Sequence, residues 1–152
     1  MPKLYFAYGS NMNPIQMRLR CPNSEAIASA TLKGYRLAIN SRGVATIVPD
    51  KDSLVKGVVW KISKTDESLL DIFEGVKSGF YKKKSMEIRF ADSSVKALIY
   101  IDLNSEVGVP RKGYLERIIN GAKHFGLGKK YISNLERLAY VQSRSLWDTE
   151  KR

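Results

Sequence analysis

Residues 4–12 form the stretch Leu4-Tyr5-Phe6-Ala7-Tyr8-Gly9-Ser10-Asn11-Met12, in which an apolar, aromatic run meets a glycine and then polar residues. A continuous apolar run of this length is typical of a buried strand. Asn13 can cap a helix that begins at Pro14, with Gln16 as its third residue and an end near residue 20. The stretch therefore predicts a strand, a turn and a helix start. The N–H groups exposed there can bind an anion or a polarised carbonyl oxygen.

Strands dominate the first two thirds of the chain outward from this junction. Short, β-branched runs bounded by turn residues predict strands over residues 30–40, 44–48, 54–62, 81–90 and 95–101. Gly34 is a candidate bulge, and Pro49-Asp50 is expected to end the second of these strands. Five or six short strands with tight turns can close into a small barrel.

Helices are predicted mainly in the last third. Ser63 and Asp66 suit the start of a helix over residues 64–73, with Leu69, Leu70, Ile72 and Phe73 on its inner side. Two more helices are expected, one from Pro110 to Phe125 and one from about residue 130 to residue 142. In the first of them the inward stripe is Tyr114, Ile118, Ala122 and Phe125. This order predicts an α+β domain over residues 1–142, with a polar C-terminal tail over residues 143–152.

Composition narrows the class of protein. A chain of 152 residues suits one domain with its own core. The single cysteine, Cys21, excludes an intramolecular disulfide and favours a reducing compartment. No apolar run approaches the roughly 20 residues that span a bilayer. Met1-Pro2-Lys3 leads directly into the first strand, so no signal peptide and a cytoplasmic location are expected.

The formal net charge of +11 raises the question of a nucleic-acid or membrane partner. The basic residues are spread along the whole chain. The densest run, residues 82–84, is three lysines at a strand start without interleaved aromatic residues. A solvated basic face is favoured over a nucleic-acid footprint, and neither a nucleic acid nor a membrane is expected as partner.

The sequence offers little support for a metal site or for a nucleophilic cysteine or serine. The single histidine, His124, and the single cysteine, Cys21, show no ligand spacing, so no metal site is expected. His124 fits a helix surface, and Cys21 fits a structural thiol because no base is located for it. The surroundings of Ser10 lack the pattern of a nucleophile elbow, and its turn lacks the lysine of a P-loop.

Glu74 is an unusual acid because it lies at the carboxyl end of a predicted helix. The helix macrodipole and the like charge of Asp71, one turn earlier, both disfavour its charged form, so we expect a raised pKa. The loop from Gly75 to Gly79 and the following Tyr81 suit a shaped site. An ordinary exposed glutamate at a helix end is the alternative interpretation.

Three segments lie in a specific order along the chain: residues 4–11, Gly57-Val58-Val59-Trp60-Lys61-Ile62, and Glu74-Gly75-Val76-Lys77-Ser78-Gly79-Phe80-Tyr81. Together they resemble the γ-glutamylcyclotransferase family. Two further segments, residues 45–47 and residues 121–127, add to the likeness, which extends to about residue 140.

The resemblance implies a small mixed β-barrel with flanking helices and a pocket at one mouth. It implies cyclisation of a γ-glutamyl amino acid or amine to 5-oxoproline, without a metal or organic cofactor. By the same resemblance Glu74 is the general base and acid. Tyr81 and Tyr114 resemble the pocket tyrosines, although core packing is the alternative for Tyr114. The implied substrate-binding residues of the first segment are Tyr5, Phe6, Ala7, Tyr8, Gly9, Ser10 and Asn11.

The residue types fit that reaction, and alternatives stay open. A carboxyl with a raised pKa can take a proton from the substrate amine and return it to the leaving nitrogen, while the N–H groups of residues 9–11 hold the oxyanion. Residues 41–44 form a shorter loop than in some relatives, which can alter acceptor preference. One alternative is the same fold acting on a specialised pathway intermediate, and another is a non-enzymatic basic binding domain. A monomer or a homodimer is expected.

Overall fold

The computed structural model describes residues 3–138, and five strands within them close into a barrel with the neighbour order β1-β3-β2-β4-β5. All pairs are antiparallel except β5 with β1, which meet in parallel at Leu98 and Tyr5. The predicted α+β fold with a small mixed barrel is confirmed. The strands are β1 Lys3–Ala7, β2 Glu25–Ile39, β3 Ala45–Ile62, β4 Tyr81–Phe90 and β5 Ser93–Asp102.

Helices connect and cover the barrel. A short 3-10 helix, Ser10–Met12, follows β1 and leads into the first α-helix, whose cap Asn13 accepts hydrogen bonds from the N–H groups of Ile15 and Gln16. The predicted strand–turn–helix junction is therefore confirmed. The α-helices are α1 Pro14–Arg20, α2 Lys64–Phe73, α3 Tyr114–His124 and α4 129–138.

The two strands predicted over residues 44–48 and 54–62 are one strand, β3, which runs through Pro49. Pro49 pairs with Tyr35 next to a register shift at Gly34, whose φ is +86°. β3 pairs with β1 only over residues 58–62, so no paired strand lies on its other side at Pro49. Proline is tolerated at such an unpaired edge and beside a bulge, which explains why it does not end the strand. A register shift lies at Gly34, where a bulge was predicted, but the extra residues belong to β3, whose residues 50–53 lie opposite Gly34 alone.

Helix α2 has the predicted bounds, but its predicted inner stripe is wrong. Ser63 and Asp66 form the reciprocal capping box at its start, and Gly75 follows its end with a φ of +65°. Leu70 is fully buried, whereas Ile72 is 74% exposed and Phe73 is 51% exposed. Residues two apart lie on nearly opposite sides of a helix, so Ile72 cannot share the face of Leu70.

Helix α3 begins at Tyr114, four residues after the predicted start at Pro110. The segment before it is held by the turn between β2 and β3 instead, where the Arg111 N–H donates to the Gly43 carbonyl. Val107 forms a bridge with Asn40 in the same region. Tyr114, Ile118 and Ala122 of the predicted inward stripe are buried in α3, whereas Phe125 follows the end of the helix at His124 and is half-buried.

The last predicted helix, residues 130–142, corresponds to α4 as far as residue 138; residues 139–142 and the predicted tail lie outside the described range. Leu135 in α4 is buried. Within residues 3–138, no helix has the length and apolar composition needed to cross a membrane.

Helix α3 packs against the turn that follows β1 through Gly121. A Cβ atom there would lie 2.7 Å from the Met12 carbonyl carbon and 2.9 Å from the Asn13 nitrogen. Only a residue without a side chain allows this approach, so α3 determines where the turn lies.

We expect Gly121→Ala to displace this turn. Overpacking against backbone costs about 1–3 kcal/mol, which exceeds the gain of up to about 1 kcal/mol in helix propensity. Thermal unfolding should show a lower Tm. Asn120→Ala, at the exposed neighbouring position, is the control and should leave the Tm unchanged or slightly raised. A Gly121→Ala protein as stable as the control would contradict this account of the contact.

Candidate active site

A cavity of about 160 Å³ opens between the end of β1, the turn that follows it, the end of α2 and the start of α3. Of the residues proposed from the sequence, Ala7 does not line it. Ala7 is buried instead, with its carbonyl oxygen against Gly57 of β3. The structure brings the other nine to the cavity wall: Tyr5, Phe6, Tyr8, Gly9, Ser10, Asn11, Glu74, Tyr81 and Tyr114.

The turn after β1 is compact, and the Ser10 N–H contacts the Tyr114 hydroxyl. The N–H groups of Met12 and Asn13 donate to the carbonyls of Gly9 and Ser10, both at 3.0 Å. The amides of residues 9–11 precede these bonds and lie at the start of the helix, where N–H groups have no partner within the helix. A Cβ at Gly9 would lie 3.1 Å from the Tyr114 hydroxyl, so glycine permits the close approach.

Asn11 is buried and its orientation is determined by two donors. Its Oδ1 accepts from Gln16 Nε2 at 2.8 Å and from Arg20 Nη1 at 3.0 Å. Its Nδ2 must therefore face the other way, where it donates to the Tyr5 hydroxyl at 3.0 Å and lies 3.5 Å from Glu74 Oε1. Asn11 thus joins the turn to the carboxyl group of Glu74.

The pKa of Glu74 is raised from its ordinary value of 4.5 to about 7. Burial of the carboxyl group at the cavity is the main cause, because it disfavours the charged form. The Arg20 and Arg42 guanidinium groups oppose the rise, and the Asp102 carboxylate adds to it. At neutral pH this carboxyl group can both accept and release a proton.

The direction of this pKa shift agrees with the prediction, but the role predicted for Asp71 is wrong. Asp71 points toward β4 and β5, where it accepts from Lys83 Nζ at 3.1 Å and from the Tyr100 hydroxyl at 2.6 Å. It is not among the charges that raise the pKa of Glu74. The pKa of Glu74 is therefore raised by burial of its carboxyl group at the end of the barrel, which is a tertiary effect, and not by the predicted repulsion from Asp71 within the same helix.

Five tyrosines line the cavity, Tyr5, Tyr8, Tyr81, Tyr100 and Tyr114, and hydrogen bonds to the backbone fix the hydroxyls of Tyr8 and Tyr114. The Tyr8 hydroxyl donates to the Tyr100 carbonyl at 2.5 Å. The Tyr114 hydroxyl accepts from the Ala45 N–H at 2.9 Å, so this residue both packs in the core and lines the cavity. Burial raises the pKa of Tyr81, and the nearby Glu74 carboxyl adds to the rise. Burial likewise raises the pKa of Tyr8 and of Tyr114, so the hydroxyls of Tyr8, Tyr81 and Tyr114 stay protonated at neutral pH.

Four arginines at the cavity were not predicted: Arg20, Arg42, Arg111 and Arg117. Arg20 could have been found, because Gln16 and Arg20 are four residues apart in α1 and must share one helix face. The others come from loops and a later helix. No local pattern in the sequence indicates that they meet there.

The two residues that the sequence did not favour as reactive groups, Cys21 and His124, lie away from the cavity. Cys21 is a buried free thiol whose pKa is raised to about 12, first by burial and then by Asp66. His124 is exposed and contacts the edge of Phe125. Among residues 3–138, no three His, Cys, Asp or Glu side chains are grouped closely enough to hold a metal ion. The arrangement therefore combines one carboxyl that titrates near pH 7 with turn amides that can hold an oxyanion.

Known proteins resemble this chain in sequence and in fold. The model of the AIG2-like family matches residues 54–135. A gamma-glutamylcyclotransferase of Homo sapiens is 36% identical over 146 residues, which are 88% of this chain and 77% of that protein. Its counterpart from Mus musculus is 33% identical over 144 residues, with the same coverage. A solved structure of a gamma-glutamyl cyclotransferase superposes with a TM-score of 0.84 at 33% identity, over 90% of this chain and 87% of the other.

Proposed function

This chain belongs to the γ-glutamylcyclotransferase family, and we propose that Glu74 is the general base and acid of its reaction. The enzyme converts a γ-glutamyl amino acid or amine to 5-oxoproline and the free amino acid or amine. The observation that carries the proposal is a carboxyl with a pKa of about 7 in the same cavity as the turn amides of residues 9–11.

The first step removes a proton. An α-amino group has a pKa of about 8, so at neutral pH most of it is protonated and is no nucleophile. The Glu74 carboxylate takes one proton from it. The free amine then attacks the δ-carbonyl of its own γ-glutamyl group, which forms the C–N bond of a five-membered ring. Because the attack is intramolecular, holding the chain folded near the attack geometry contributes much of the rate.

The second step returns the proton. The tetrahedral intermediate collapses, the original amide C–N bond breaks, and protonated Glu74 gives its proton to the departing nitrogen. The ring nitrogen, which holds two hydrogens after the attack, gives one of them to the Glu74 carboxylate, and the released amine takes up that proton and leaves as an ammonium. The negative charge that develops on the carbonyl oxygen needs fixed donors. We assign this role to the amides of Gly9, Ser10 and Asn11, and the substrate oxygen would replace the Tyr114 hydroxyl at the Ser10 N–H.

We assign the remaining cavity residues to the γ-glutamyl head of the substrate. The walls around it are supplied by Tyr5, Phe6, Tyr8, Tyr81 and Tyr114. The turn amides also suit the α-carboxylate of the substrate, and Arg20 adds positive charge beside Asn11. We do not assign a substrate-binding role to Ala7, because it lies behind the cavity wall. A monomer or homodimer in the cytoplasm, without a nucleic-acid partner, remains our prediction.

The test is 5-oxoproline release from a γ-glutamyl dipeptide, measured as a function of pH. The reactive complex needs one titratable proton, shared between the Glu74 carboxyl and the substrate amine. The complex with both groups protonated and the complex with both deprotonated are inactive, so the plot of kcat/KM against pH should be bell-shaped. It should fall below about pH 7 as Glu74 is protonated, and fall again above about pH 8 as the substrate amine is deprotonated. Absence of 5-oxoproline contradicts the reaction, and an acid limb near pH 4.5 contradicts the role of Glu74.

A further inference from the structure

Gln16 connects helix α1 to two residues of the turn at the cavity. One N–H of its side-chain amide donates to the Ser10 hydroxyl oxygen at 2.7 Å, and the other donates to Asn11 Oδ1 at 2.8 Å. Ser10 and Asn11 line the cavity, whereas Gln16 does not. Gln16 is half-buried and carries no charge. A contribution of Gln16 to the reaction therefore acts through the side chains of Ser10 and Asn11.

The direction of these hydrogen bonds is determined by Arg20, one turn later in α1. A guanidinium group has N–H donors and no acceptor. Arg20 Nη1 lies 3.0 Å from the Asn11 side chain, so the atom that it contacts is the amide oxygen Oδ1. The Gln16 atom that shares this oxygen must then be a donor, which is its amide nitrogen. The orientation of both amides thus follows from the one group that can only donate.

This direction determines what the two turn residues present to the cavity. With Oδ1 held by two donors, Asn11 turns its Nδ2 toward Glu74 Oε1, which lies 3.5 Å away. Because the Ser10 oxygen accepts from Gln16, the hydroxyl hydrogen of Ser10 is left for its other contact, the Tyr114 hydroxyl. The turn therefore presents an N–H group to the carboxyl group and an O–H group to the tyrosine.

We propose that Gln16 is a positioning residue of the reaction: its two amide donors set the direction of the Ser10 and Asn11 side chains, so that Asn11 presents an N–H group to Glu74. This proposal rests on the proposed function. An Asn11 oxygen facing Glu74 would disfavour the carboxylate, which is the form that takes the proton from the substrate amine. Release of Ser10 from Gln16 would also loosen the turn whose amides we assign to the oxyanion.

Three substitutions separate the direction of the hydrogen bonds from side-chain shape and from charge, with kcat for 5-oxoproline release as the measurement. Gln16→Met has no donor, and its kcat should fall about tenfold, because a hydrogen bond contributes up to about that factor. Gln16→Glu keeps the shape, but its carboxylate presents only acceptors, and its kcat should fall at least as far. Gln16→Lys keeps donors and should stay within about threefold of the unaltered enzyme. Leu19→Met, at an exposed position of the same helix, is the control and should leave kcat unchanged.

Other roles of Gln16 give different rankings of these variants. A side chain that only fills space makes Gln16→Glu as active as the unaltered enzyme, and a role of net charge alone makes Gln16→Met as active. Either result, or a Gln16→Lys protein that loses as much activity as Gln16→Met, overturns the proposal. Thermal unfolding of each variant shows whether it is folded at the temperature of the assay. Absence of 5-oxoproline with the unaltered enzyme overturns the proposed function instead.

The pH profile is the second measurement, because a loss of packing alone does not move it. The charged groups that act on the pKa of Glu74 are Arg20 of α1, Arg42 of the turn between β2 and β3, and Asp102 at the end of β5. The tyrosines beside it have raised pKa values and stay protonated across the profile: Tyr5, Tyr8, Tyr81 and Tyr114. Gln16→Met changes none of these groups.

The acid limb of kcat/KM should move to higher pH in Gln16→Met, because Asn11 can then turn its oxygen toward Glu74 and disfavour the carboxylate. In Gln16→Lys the limb should lie at the unaltered pH or below it, since the donors remain and a positive charge is added. An acid limb that stays in place in Gln16→Met overturns the assigned control of Asn11 by Gln16, and with it the proposal.

Discussion

Replacing Glu74 by Gln should lower turnover by a factor on the order of a hundred or more and, at the same time, stabilise the folded protein at pH 8. Glutamine keeps the shape of the side chain but cannot carry the proton between the substrate amine and the leaving nitrogen. The two effects have one cause. The enclosure that raises the pKa of Glu74 to about 7 also makes its charged form costly in the folded state.

The sign of the stability effect follows from proton linkage. Between the ordinary pKa of 4.5 and the folded value of about 7, the folded state holds a proton that the unfolded state has released. The free energy of unfolding therefore falls as pH rises through this window, and the loss is complete above about pH 7. The full shift corresponds to about 3 kcal/mol, and partial solvent access reduces this to about 1–3 kcal/mol. Glu74→Gln has no titrating carboxyl at this position, so its free energy of unfolding does not show this fall.

The measurements are 5-oxoproline release at saturating substrate and denaturant unfolding at pH 4.5 and pH 8. The stability advantage of Glu74→Gln over the unaltered protein should be present at pH 8 and largely vanish at pH 4.5. Glu87→Gln, at an exposed position of β4 away from the cavity, is the matched control and should change neither quantity appreciably. Unchanged turnover in Glu74→Gln would remove Glu74 from the mechanism, whereas an equal stability difference at both pH values would reject the raised pKa.

Local patterns predicted the elements whose causes are local. Asn13 caps α1 and Ser63 pairs with Asp66 at the start of α2, because each side chain satisfies amides within three residues of itself. The turn after β1 is similar, since an apolar strand followed by Gly9 and by the capping residue Asn13 is a local signal for a strand, a turn and a helix start. Pro49 misled the prediction because its effect depends on whether a strand pairs with its free edge, which a single segment does not reveal.

The residues of the site likewise fall into those that a local segment predicts and those that depend on the assembled fold. Glu74 and the turn were found because each lies in a recognisable segment, and the resemblance to a family links the two. Arg42 and Arg111 reach the cavity from loops whose conformation depends on the assembled barrel. The pKa of Glu74 was predicted with the right direction and an incomplete reason, because burial at a barrel mouth outweighs the repulsion expected within its own helix.

Replacing Arg42 by Met should destabilise the protein by about 2–3 kcal/mol, which lowers the Tm by roughly 5–10 °C. Asp102 is 3% exposed, and Arg42 is the partner of its carboxylate at 2.8 Å, so the variant leaves a buried charge without its counter-ion. Arg42 also lies over the Phe80 ring at 4.3 Å and adds a cation–π contact that methionine loses. The same change should raise the pKa of Glu74, because Arg42 lowers it while Asp102 raises it.

The double variant Arg42→Met/Asp102→Asn separates charge from packing. Asparagine retains an acceptor for the Asn104 N–H, which donates to Asp102 Oδ1 at 3.0 Å, and carries no charge to neutralise. The double variant should therefore regain most of the lost stability, since replacing both members of a buried ion pair costs less than removing one. The acid limb of the kcat/KM profile, moved to higher pH in Arg42→Met, should return toward pH 7. A double variant no more stable than Arg42→Met would show that packing of Arg42 on the aromatic rings, rather than neutralisation of Asp102, is what stabilises this side of the cavity.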